Sequence, residues 1–363
     1  MTAFDTARDL FLQGVALFEQ GDAAAAAERF EASLQALPGR PSTLINLAAA
    51  RLALGRPEAA LAALDDALRL DAGRADGWLK RGQVLRVLQR HAEALPAFEQ
   101  AARLDPTSAE AWSQLGQLQR DSGAAEAAAH AFRQALAHGA DEALHRYYLA
   151  ALGESEAPAS APRAYVQTLF DEYAADFEPH VLSLGYRAPQ VLLRRAATLQ
   201  PSGFARALDL GCGSGLCGGL ARELAAAVDG VDLSAEMLAR ARATGAYEEL
   251  AQADVAEHLA QTGRRYDLVV AADVFIYVGA LEQVFAGVQR VLRPAGLFCF
   301  SVERADPPHE LQLRRSLRYA HSEAYLRRLA DASGLRVLAL EEGPLRHEQS
   351  GELQGLYAWL RRG

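Results

Sequence analysis

The sequence predicts a two-part chain, in which an all-α repeat domain precedes an α/β domain built on a parallel sheet. Equivalent residues recur every 34 positions through roughly the first 150 residues, and a glycine-rich stretch after residue 206 precedes short apolar runs that end in acids. With 363 residues the chain has room for two or three domains. Its 50% hydrophobic and 23% charged content is typical of a globular protein.

The first part of the chain carries four sets of matching positions at the 34-residue spacing. The sets are Leu10, Leu44, Trp78 and Trp112; Gly14, Ala48, Gly82 and Gly116; Ala26, Ala60, Ala94 and Ala128; and Phe30, Leu64, Phe98 and Phe132. Small residues let paired helices approach closely, and large ones fill the space between them. The period resembles that of tetratricopeptide repeats. It predicts a domain over residues 1–152, with four repeats and a capping helix over 141–152.

Repeats of this kind usually bind other molecules along the first helix of each pair. We expect a groove that holds a protein partner, with apolar residues such as Phe11 and Val15 at one end and polar ones such as Gln83 and Gln117 at the other. The alternative is a packing or dimerisation surface, so a homodimer stays open. Residues 153–163 have the composition of a short linker.

The stretch from Leu208 to Gly215 reads as strand, tight turn and helix, since an apolar run ends in glycines and a helical pattern starts at Leu216. Glycines are needed where the backbone turns sharply and where a ligand lies against main-chain N–H groups. A second apolar run ends in Asp232, about 20 residues beyond the glycines, where nucleotide-binding units place a carboxylate for ribose hydroxyls.

Two further short runs end at Asp254 and Asp273. In an open parallel sheet the carboxyl ends of the strands share one edge, and ligands bind there. We therefore expect Asp232, Asp254 and Asp273 to lie around one site.

Together these motifs resemble the class I S-adenosylmethionine-dependent methyltransferases, over residues 164–363. A nicotinamide dehydrogenase is the main competitor, but its fingerprint has a third glycine at the sixth place, where this chain has Leu216. The resemblance implies a Rossmann-like, seven-stranded sheet closed by an antiparallel hairpin over 335–340 and 353–360. It also implies S-adenosylmethionine as cofactor.

The resemblance further implies the residues that bind the methyl donor. The glycine backbone borders the methionine part, Asp232 the ribose, and Asp254 with the Val255 amide the adenine. Asp209 is the expected partner of the donor's ammonium group, and Tyr173 reaches the donor from a lid helix. The full expected set is Tyr173, Asp209, Gly211, Cys212, Gly213, Gly215, Asp232, Leu233, Asp254, Val255 and Asp273.

Three residues near the predicted edge of the sheet are the candidates for catalysis. Glu303 follows the fifth strand, and His321 lies in a Tyr-Ala-His-Ser turn whose Ser322 is suited to cap the next helix. Both are candidate bases because they are expected at or near this edge, and a histidine titrates in the useful range. Tyr277 follows the fourth strand and is a candidate for the wall of the acceptor pocket.

Charge and cysteine usage exclude several other functions. A formal charge of −9 argues against nucleic-acid binding, which needs a concentrated basic surface. The three cysteines are too few and too irregular for a disulfide framework or a zinc site, and we expect no metal. The first 20 residues do not form a signal peptide and no apolar run is long enough to span a membrane, so we expect a cytoplasmic protein without membrane contact.

The sequence thus predicts a methyltransferase that acts on an oxygen or nitrogen atom of a small or carrier-bound molecule, with repeats that recruit the substrate or a partner. One alternative is a protein or peptide methyltransferase that recruits its polypeptide through the repeats. Another is a non-catalytic scaffold that binds S-adenosylmethionine without turnover.

Overall fold

The structure is a computed structural model that describes residues 2–348 and 351–363. The chain divides into two compact units, Met1–His145 and Arg146–Gly363. None of the helices in the described ranges combines the length and the apolar character that crossing a membrane requires.

The first unit is helical, as predicted. Its helices are α1 (Ala3–Glu19), α2 (Ala23–Ala36), α3 (Pro41–Ala53), α4 (Pro57–Leu70), α5 (Ala75–Val87), α6 (His91–Leu104), α7 (Ala109–Asp121) and α8 (Ala125–Ala137). Each odd-numbered helix packs against the even-numbered helix that follows it, which gives four helical pairs in the described part of this unit. A further helix, α9 (Glu142–Ala151), contains the boundary between the two units.

The 34-residue register corresponds to direct contacts within each helical pair. Gly82 on α5 lies against the ring of Phe98 on α6, and a Cβ atom added at Gly82 would come within 2.4 Å of that ring. Gly14 and Gly116 have the same relation, at 2.6 Å, to Phe30 and Phe132. The second repeat instead has Ala48 and Leu64 at these positions, both buried. A larger residue on one helix is thus matched by a smaller residue on its partner.

The second unit has helices around one mixed sheet. The helices are α10 (Arg163–Tyr173), α11 (Phe177–Ser183), α12 (Ala188–Leu199), α13 (Leu216–Leu224), α14 (Ala235–Ala243), α15 (Val255–Gln261), α16 (Glu282–Val291) and α17 (Glu323–Ala332), with a 3-10 turn at Phe275–Tyr277. The strands are β1 (Phe204–Leu210), β2 (Ala225–Asp232), β3 (Glu249–Gln252), β4 (Tyr266–Ala271), β5 (Leu292–Arg304), β6 (Leu311–Leu313), β7 (Tyr319–His321), β8 (Leu335–Glu348) and β9 (Gly351–Arg362).

Five strands run parallel in the order β3-β2-β1-β4-β5, and β9 pairs antiparallel with the other edge of β5. β8 pairs antiparallel with β9, so the predicted closing hairpin is confirmed. Strand order reverses at β1, which lies between β2 and β4. In such a sheet the crevice at the carboxyl ends of these strands is the place where ligands bind.

Two short strands extend the predicted arrangement. β7 pairs with Glu303 and Arg304 at the end of β5, while β9 also pairs with Glu303. Since a strand has two edges, β7 lies on the β4 side of β5, beyond the point where β4 ends. The Tyr-Ala-His sequence is therefore a strand, where the sequence had predicted a turn. The reason is that the last residues of β5 outrun β4 and leave an edge that β7 can pair with.

Apolar residues cover both faces of this sheet. One cluster joins Phe298 and Phe300 of β5 to helices α15, α16 and α17 through residues such as Leu259, Phe285 and Leu326. On the opposite face, Trp359 of β9 belongs to a cluster with residues of α12 and α13. Burial on both sides explains why the central strands are continuous apolar runs.

We predict that Gly82→Ala destabilises the repeat unit. In an exposed helix this change stabilises by about 1 kcal/mol, but here the new methyl group would overlap the Phe98 ring, and overpacking costs about 1–3 kcal/mol. Urea unfolding followed by circular dichroism measures the difference. The double variant Gly82→Ala with Phe98→Leu copies the Ala48–Leu64 pair and should recover stability relative to Gly82→Ala. An unchanged unfolding midpoint for Gly82→Ala would contradict this packing.

Candidate active site

A cavity of about 990 Å³ lies at the carboxyl ends of the central strands in the second unit. Residues that follow β1, β2, β3 and β4 line it, including Gly211, Asp232, Asp254 and Asp273. The acids predicted to share one edge of the sheet are therefore brought together. Other walls come from α10, α11, α15, the segment 159–161 and the residues that follow β4, and from Arg318 and Arg346.

The glycine loop has a backbone that only glycine adopts readily. The φ angles of Gly211, Gly213 and Gly215 are +62°, +53° and +99°. A Cβ atom at Gly211 would lie 2.7 Å from the side chain of Val274, so this loop and the segment after β4 are in close contact. At Gly213 it would meet only Phe177, at 3.9 Å. The loop thus presents open backbone to the cavity, and it fits a ligand that lies against main-chain atoms.

Asp232, at the end of β2, joins the glycine loop to the next helix. Its Oδ2 accepts a hydrogen bond of 2.9 Å from the Gly213 amide, and its Oδ1 accepts one of 2.9 Å from the Ser234 amide. Burial raises the pKa of this carboxyl. Asp232 and the adjacent Leu233 both line the cavity. The carboxylate is thus fixed in place with oxygen lone pairs left for the hydroxyl groups of a ligand.

Asp254 fixes the start of α15 at the neighbouring strand end. Its Oδ1 accepts hydrogen bonds from the amides of Ala256, at 2.8 Å, and Glu257, at 3.2 Å. Both Asp254 and Val255 line the cavity, as the sequence had indicated. An N-cap acid leaves its second oxygen available to a ligand.

The helices α10 and α11 cover the cavity with aromatic side chains. Phe170, Tyr173, Phe177 and His180 line it, and Tyr173 is hydrogen-bonded to Nδ1 of His180. Asp171 on α10 accepts a hydrogen bond of 2.5 Å from Ser234 Oγ, directly after the Asp232 loop. Helix α10 is therefore hydrogen-bonded to Ser234, whose amide also binds the Asp232 carboxylate.

Three of the residues expected to bind the donor do not line the cavity: Asp209, Cys212 and Gly215. The Asp209 side chain faces away from it and accepts a 2.7 Å hydrogen bond from the hydroxyl of Tyr247. Asp209 is only 1% exposed, and burial raises its pKa to about 7. Burial likewise raises the pKa of the Cys212 thiol. The contacts of these three residues with the donor stay predictions.

Of the three candidate catalytic residues, only Tyr277 lines the cavity. His321 is fully buried, and its Nε2 donates a 2.8 Å hydrogen bond to the Gly279 carbonyl. Burial lowers the pKa of His321 to about 4, so it is neutral at pH 7. Glu303 is 1% exposed and lies between the guanidinium groups of Arg346, at 2.5 Å, and Arg314, at 3.1 Å. This placement gives His321 and Glu303 structural contacts instead of access to a substrate.

Arg346 is a residue of the site that sequence reasoning missed. Its guanidinium donates to Asp273 Oδ2 at 2.6 Å and to Glu303 Oε1 at 2.5 Å, and it is only 5% exposed. It comes from β8, 73 residues after Asp273, and no local pattern marks it. Arg318, which precedes β7, also lines the cavity and donates to Glu348 at 2.6 Å.

The segment 158–161 was also missed, because its composition is that of a linker. It lies along the segment 277–280 that carries Tyr277. The Ala161 amide donates to the Tyr277 carbonyl at 3.0 Å, and the Ala159 carbonyl accepts from the amides of Gly279 and Ala280 at 2.9 and 2.8 Å. Ser160 and Ala161 line the cavity. Part of the predicted linker is therefore a wall of the site.

Comparison with known proteins agrees with this geometry. Residues 207–296 match the family described as Methyltransferase domain, and residues 45–109 match the family described as Tetratricopeptide repeat. The malonyl-[acyl-carrier protein] O-methyltransferase of Enterobacter lignolyticus (strain SCF1) is 33% identical over 175 residues, which cover 48% of this chain and 68% of that protein. The chain belongs to the S-adenosylmethionine-dependent methyltransferases. S-adenosylmethionine is its methyl donor, and the open glycine backbone with Asp232 and Asp254 fits that molecule.

Other methyltransferases match over shorter parts. The trans-aconitate 2-methyltransferase of Paracidovorax citrulli (strain AAC00-1) is 32% identical, over 38% of this chain and 54% of that protein. A ubiquinone biosynthesis O-methyltransferase of Klebsiella pneumoniae subsp. pneumoniae is 35% identical, over 26% of this chain and 41% of that protein. The chain thus spans about half the length of these relatives. Among solved structures, the N-methyltransferase NodS from Bradyrhizobium japonicum WM9 in complex with S-adenosyl-L-homocysteine aligns at 19% identity with a TM-score of 0.46, over 54% of this chain and 98% of that one.

We predict that Asp232→Ala weakens S-adenosylmethionine binding at least about tenfold. The change removes the acceptor of the Gly213 amide and the carboxylate expected to hold the ribose, and a charge-assisted hydrogen bond contributes about 1.5–3 kcal/mol. Calorimetric titration of the purified chain measures the loss. Asp331→Ala, on the exposed surface of α17, is the control and should bind as the unchanged protein does. Equal affinity of the Asp232→Ala variant would remove Asp232 from the donor site.

A second prediction concerns the pH dependence of stability. The pKa of Asp209 is raised from 3.8 to about 7 by burial, so between pH 4 and 7 the folded chain holds a proton that the unfolded chain releases. The contribution of Asp209 to the free energy of unfolding therefore falls as pH rises, by at most about 1.4 kcal/mol per unit. Relative to the unchanged protein, Asp209→Asn should gain stability from pH 5 to pH 7 in urea unfolding. A difference that stays constant with pH would contradict the burial of this acid.

Proposed function

We propose that this chain transfers the methyl group of S-adenosylmethionine to an oxygen or nitrogen nucleophile on a small or carrier-bound acceptor. The observation that carries this proposal is the single continuous cavity of about 990 Å³, which extends from Asp232 and Asp254 to Tyr277 and Arg318. Its volume lies at the upper end of the range of about 300–1,000 Å³ found for small-molecule sites. The cavity thus has space for an acceptor beside the donor.

The transfer of a methyl group from a sulfonium depends mainly on how the acceptor is positioned. The bound donor supplies an electrophilic methyl on a sulfonium, which an acceptor displaces in line. Positioning the nucleophile contributes several kcal/mol to such a step, and the aromatic side chains of α10 and α11 exclude water. Burial raises the pKa of Tyr277 to about 12, so its hydroxyl stays protonated at neutral pH. Tyr277 therefore orients the acceptor by a hydrogen bond, and it does not act as a base.

Arg318, at the end of the cavity near Tyr277, favours an anionic acceptor. Arg346 is held by the carboxylates of Asp273 and Glu303 and is 5% exposed. Arg318 also pairs with a carboxylate, that of Glu348 at 2.6 Å, but it lines the cavity with about a third of its side chain exposed. A guanidinium binds carboxylates well. The malonyl-[acyl-carrier protein] O-methyltransferases are named for an acceptor of this chemistry, bound to a carrier. We infer an acceptor that has a carboxylate and favour oxygen as the nucleophile.

The repeat unit supports the carrier-bound form of the acceptor. Tetratricopeptide repeats present extended surfaces to other proteins. We propose that they recruit the protein that carries the acceptor. The alternative is that the recruited protein is itself the acceptor. A cytoplasmic location and a homodimer stay predictions.

The test is a methyl-transfer assay with labelled S-adenosylmethionine on malonyl-acyl carrier protein, on a free malonyl thioester and on the protein fraction of a cell extract. We expect label on the two malonyl compounds, with a lower KM for the carrier-bound one. Label on polypeptides alone would favour the protein methyltransferase. Donor binding without label on any of the three would favour the scaffold.

The same assay tests the role of Tyr277. Tyr277→Phe removes only the hydroxyl and should lower kcat/KM about tenfold, which is the effect of one lost hydrogen bond of about 1.4 kcal/mol. The affinity for S-adenosylmethionine should stay unchanged, because the acids expected to hold the ribose and the adenine, Asp232 and Asp254, lie at the ends of β2 and β3. Unchanged kcat/KM would exclude Tyr277 from acceptor positioning.

A further inference from the structure

The hairpin of β6 and β7 brings Arg318 to the cavity through a strained turn. The Leu317 amide donates to the Arg314 carbonyl at 2.9 Å, and the Arg314 amide donates to the Arg318 carbonyl at 2.9 Å, so residues 315–317 form a three-residue loop. Such loops place their last residue in the left-handed region, where glycine is usual. Here that residue is Leu317, whose φ is +63° and whose side chain is buried. A leucine keeps this conformation only where the surrounding structure imposes it.

Tyr147, near the end of α9, holds this turn from outside the hairpin. Its side chain is fully buried, and its hydroxyl donates a 2.5 Å hydrogen bond to the Leu317 carbonyl. That carbonyl and the Arg318 amide belong to the same planar peptide group. The bond from Tyr147 therefore fixes the orientation of the peptide group that adjoins the Cα atom of Arg318. Apolar packing alone would be served equally well by a phenylalanine.

The residue after Arg318 is held in a similar way. The Tyr319 hydroxyl donates to the Pro158 carbonyl at 2.7 Å, and the Tyr319 ring lies 2.6 Å from the position of a Cβ atom added at Gly279. The ring centroids of Tyr147 and Tyr319 are 6.1 Å apart. The backbone on both sides of Arg318 is thus held by parts of the chain that the sequence assigned to the repeat domain and the linker.

Arg318 faces the acceptor end of the cavity. Both of its ion pairs use Nη1, with Glu348 at 2.6 Å and Glu303 at 3.9 Å, and its side chain is 31% exposed. It lines the cavity together with Tyr173 and Tyr277. Burial raises the pKa of both tyrosines, and the positive charge of Arg318 opposes this rise. An acceptor beside these two hydroxyl groups therefore meets the charge of the guanidinium.

We propose that Tyr147 is a positioning residue for the acceptor, because it fixes the peptide group next to Arg318 and thereby the direction of the guanidinium that binds the acceptor's carboxylate. This inference rests on the proposed function, which takes Arg318 as the group that meets that carboxylate. Tyr147 does not line the cavity, so it acts on the acceptor only through Arg318.

Steady-state transfer of labelled methyl groups from S-adenosylmethionine to a malonyl thioester, catalysed by the full chain, tests this role. Tyr147→Phe keeps the ring and removes the hydroxyl, so we expect KM for the malonyl thioester to rise at least about threefold. Arg318→Gln removes a charge-assisted hydrogen bond and should raise that KM at least about tenfold. The double variant should raise KM no further than Arg318→Gln alone. The affinity for S-adenosylmethionine in calorimetric titration should stay unchanged in all three variants.

Tyr266→Phe is the matched control for the loss of a buried hydroxyl. Tyr266 is almost fully buried, and its hydroxyl donates to Asp229 at 3.2 Å at the amino end of β4, away from the cavity. Both Tyr266→Phe and Tyr147→Phe should lower the free energy of unfolding in urea. Only Tyr147→Phe should raise KM. The assay uses a temperature at which circular dichroism shows every variant folded.

A Tyr147→Phe variant with the KM of the unchanged protein would overturn the proposal. So would increases in KM that multiply in the double variant, because they would show that Tyr147 acts independently of Arg318. If the unchanged protein transfers no methyl group to the malonyl thioester, the proposed function fails, and this inference fails with it.

Discussion

The ion pairs of Arg346 with Asp273 and Glu303 hold together the part of the site that follows β4. The Arg346 guanidinium lies between Asp273 after β4, Glu303 near the end of β5 and Glu348 at the end of β8, and it is 5% exposed. Removing one partner from a buried ion pair costs about 3–5 kcal/mol, because the other charge stays buried. The arginine thus lets the carboxylates of Asp273 and Glu303 remain beside an apolar sheet. It also joins the closing hairpin to the edge where the ligands bind, so the last strands of the chain help to form the site.

The parts of the fold and site that the sequence predicted are those encoded locally. The glycine loop, Asp232 and Asp254 lie within one run of strand–helix units, where spacing alone determines which edge of the sheet each residue reaches. The 34-residue period placed Gly82 in a set of small residues and Phe98 in a set of large residues, and the structure shows these two residues in contact. In both cases the spacing of residues within a short stretch of chain determines where their side chains lie.

What the sequence did not predict depends on pairings between distant residues. Arg346 meets Asp273 across 73 positions, and the β7 pairing that buries His321 depends on how far β5 outruns β4. Histidine and glutamate have suitable chemistry for a base, but burial determines whether a substrate reaches them. Asp209 is the same case, since a strand directs successive side chains to opposite faces and only the packing of Tyr247 shows which face it occupies.

The segment 158–161 forms main-chain hydrogen bonds with residues 277–280. Its bonds to Tyr277, Gly279 and Ala280 use only main-chain amides and carbonyls, which any residue except proline supplies equally well. The exposed side chains of Ala159 and Ser160 are therefore free to change while this wall stays in place, whereas Ala161 is buried. Mutation here alters the lining of the acceptor pocket without touching the glycine loop or its acids. Substitutions in this segment can therefore change which acceptor the enzyme uses while the methyl donor stays the same.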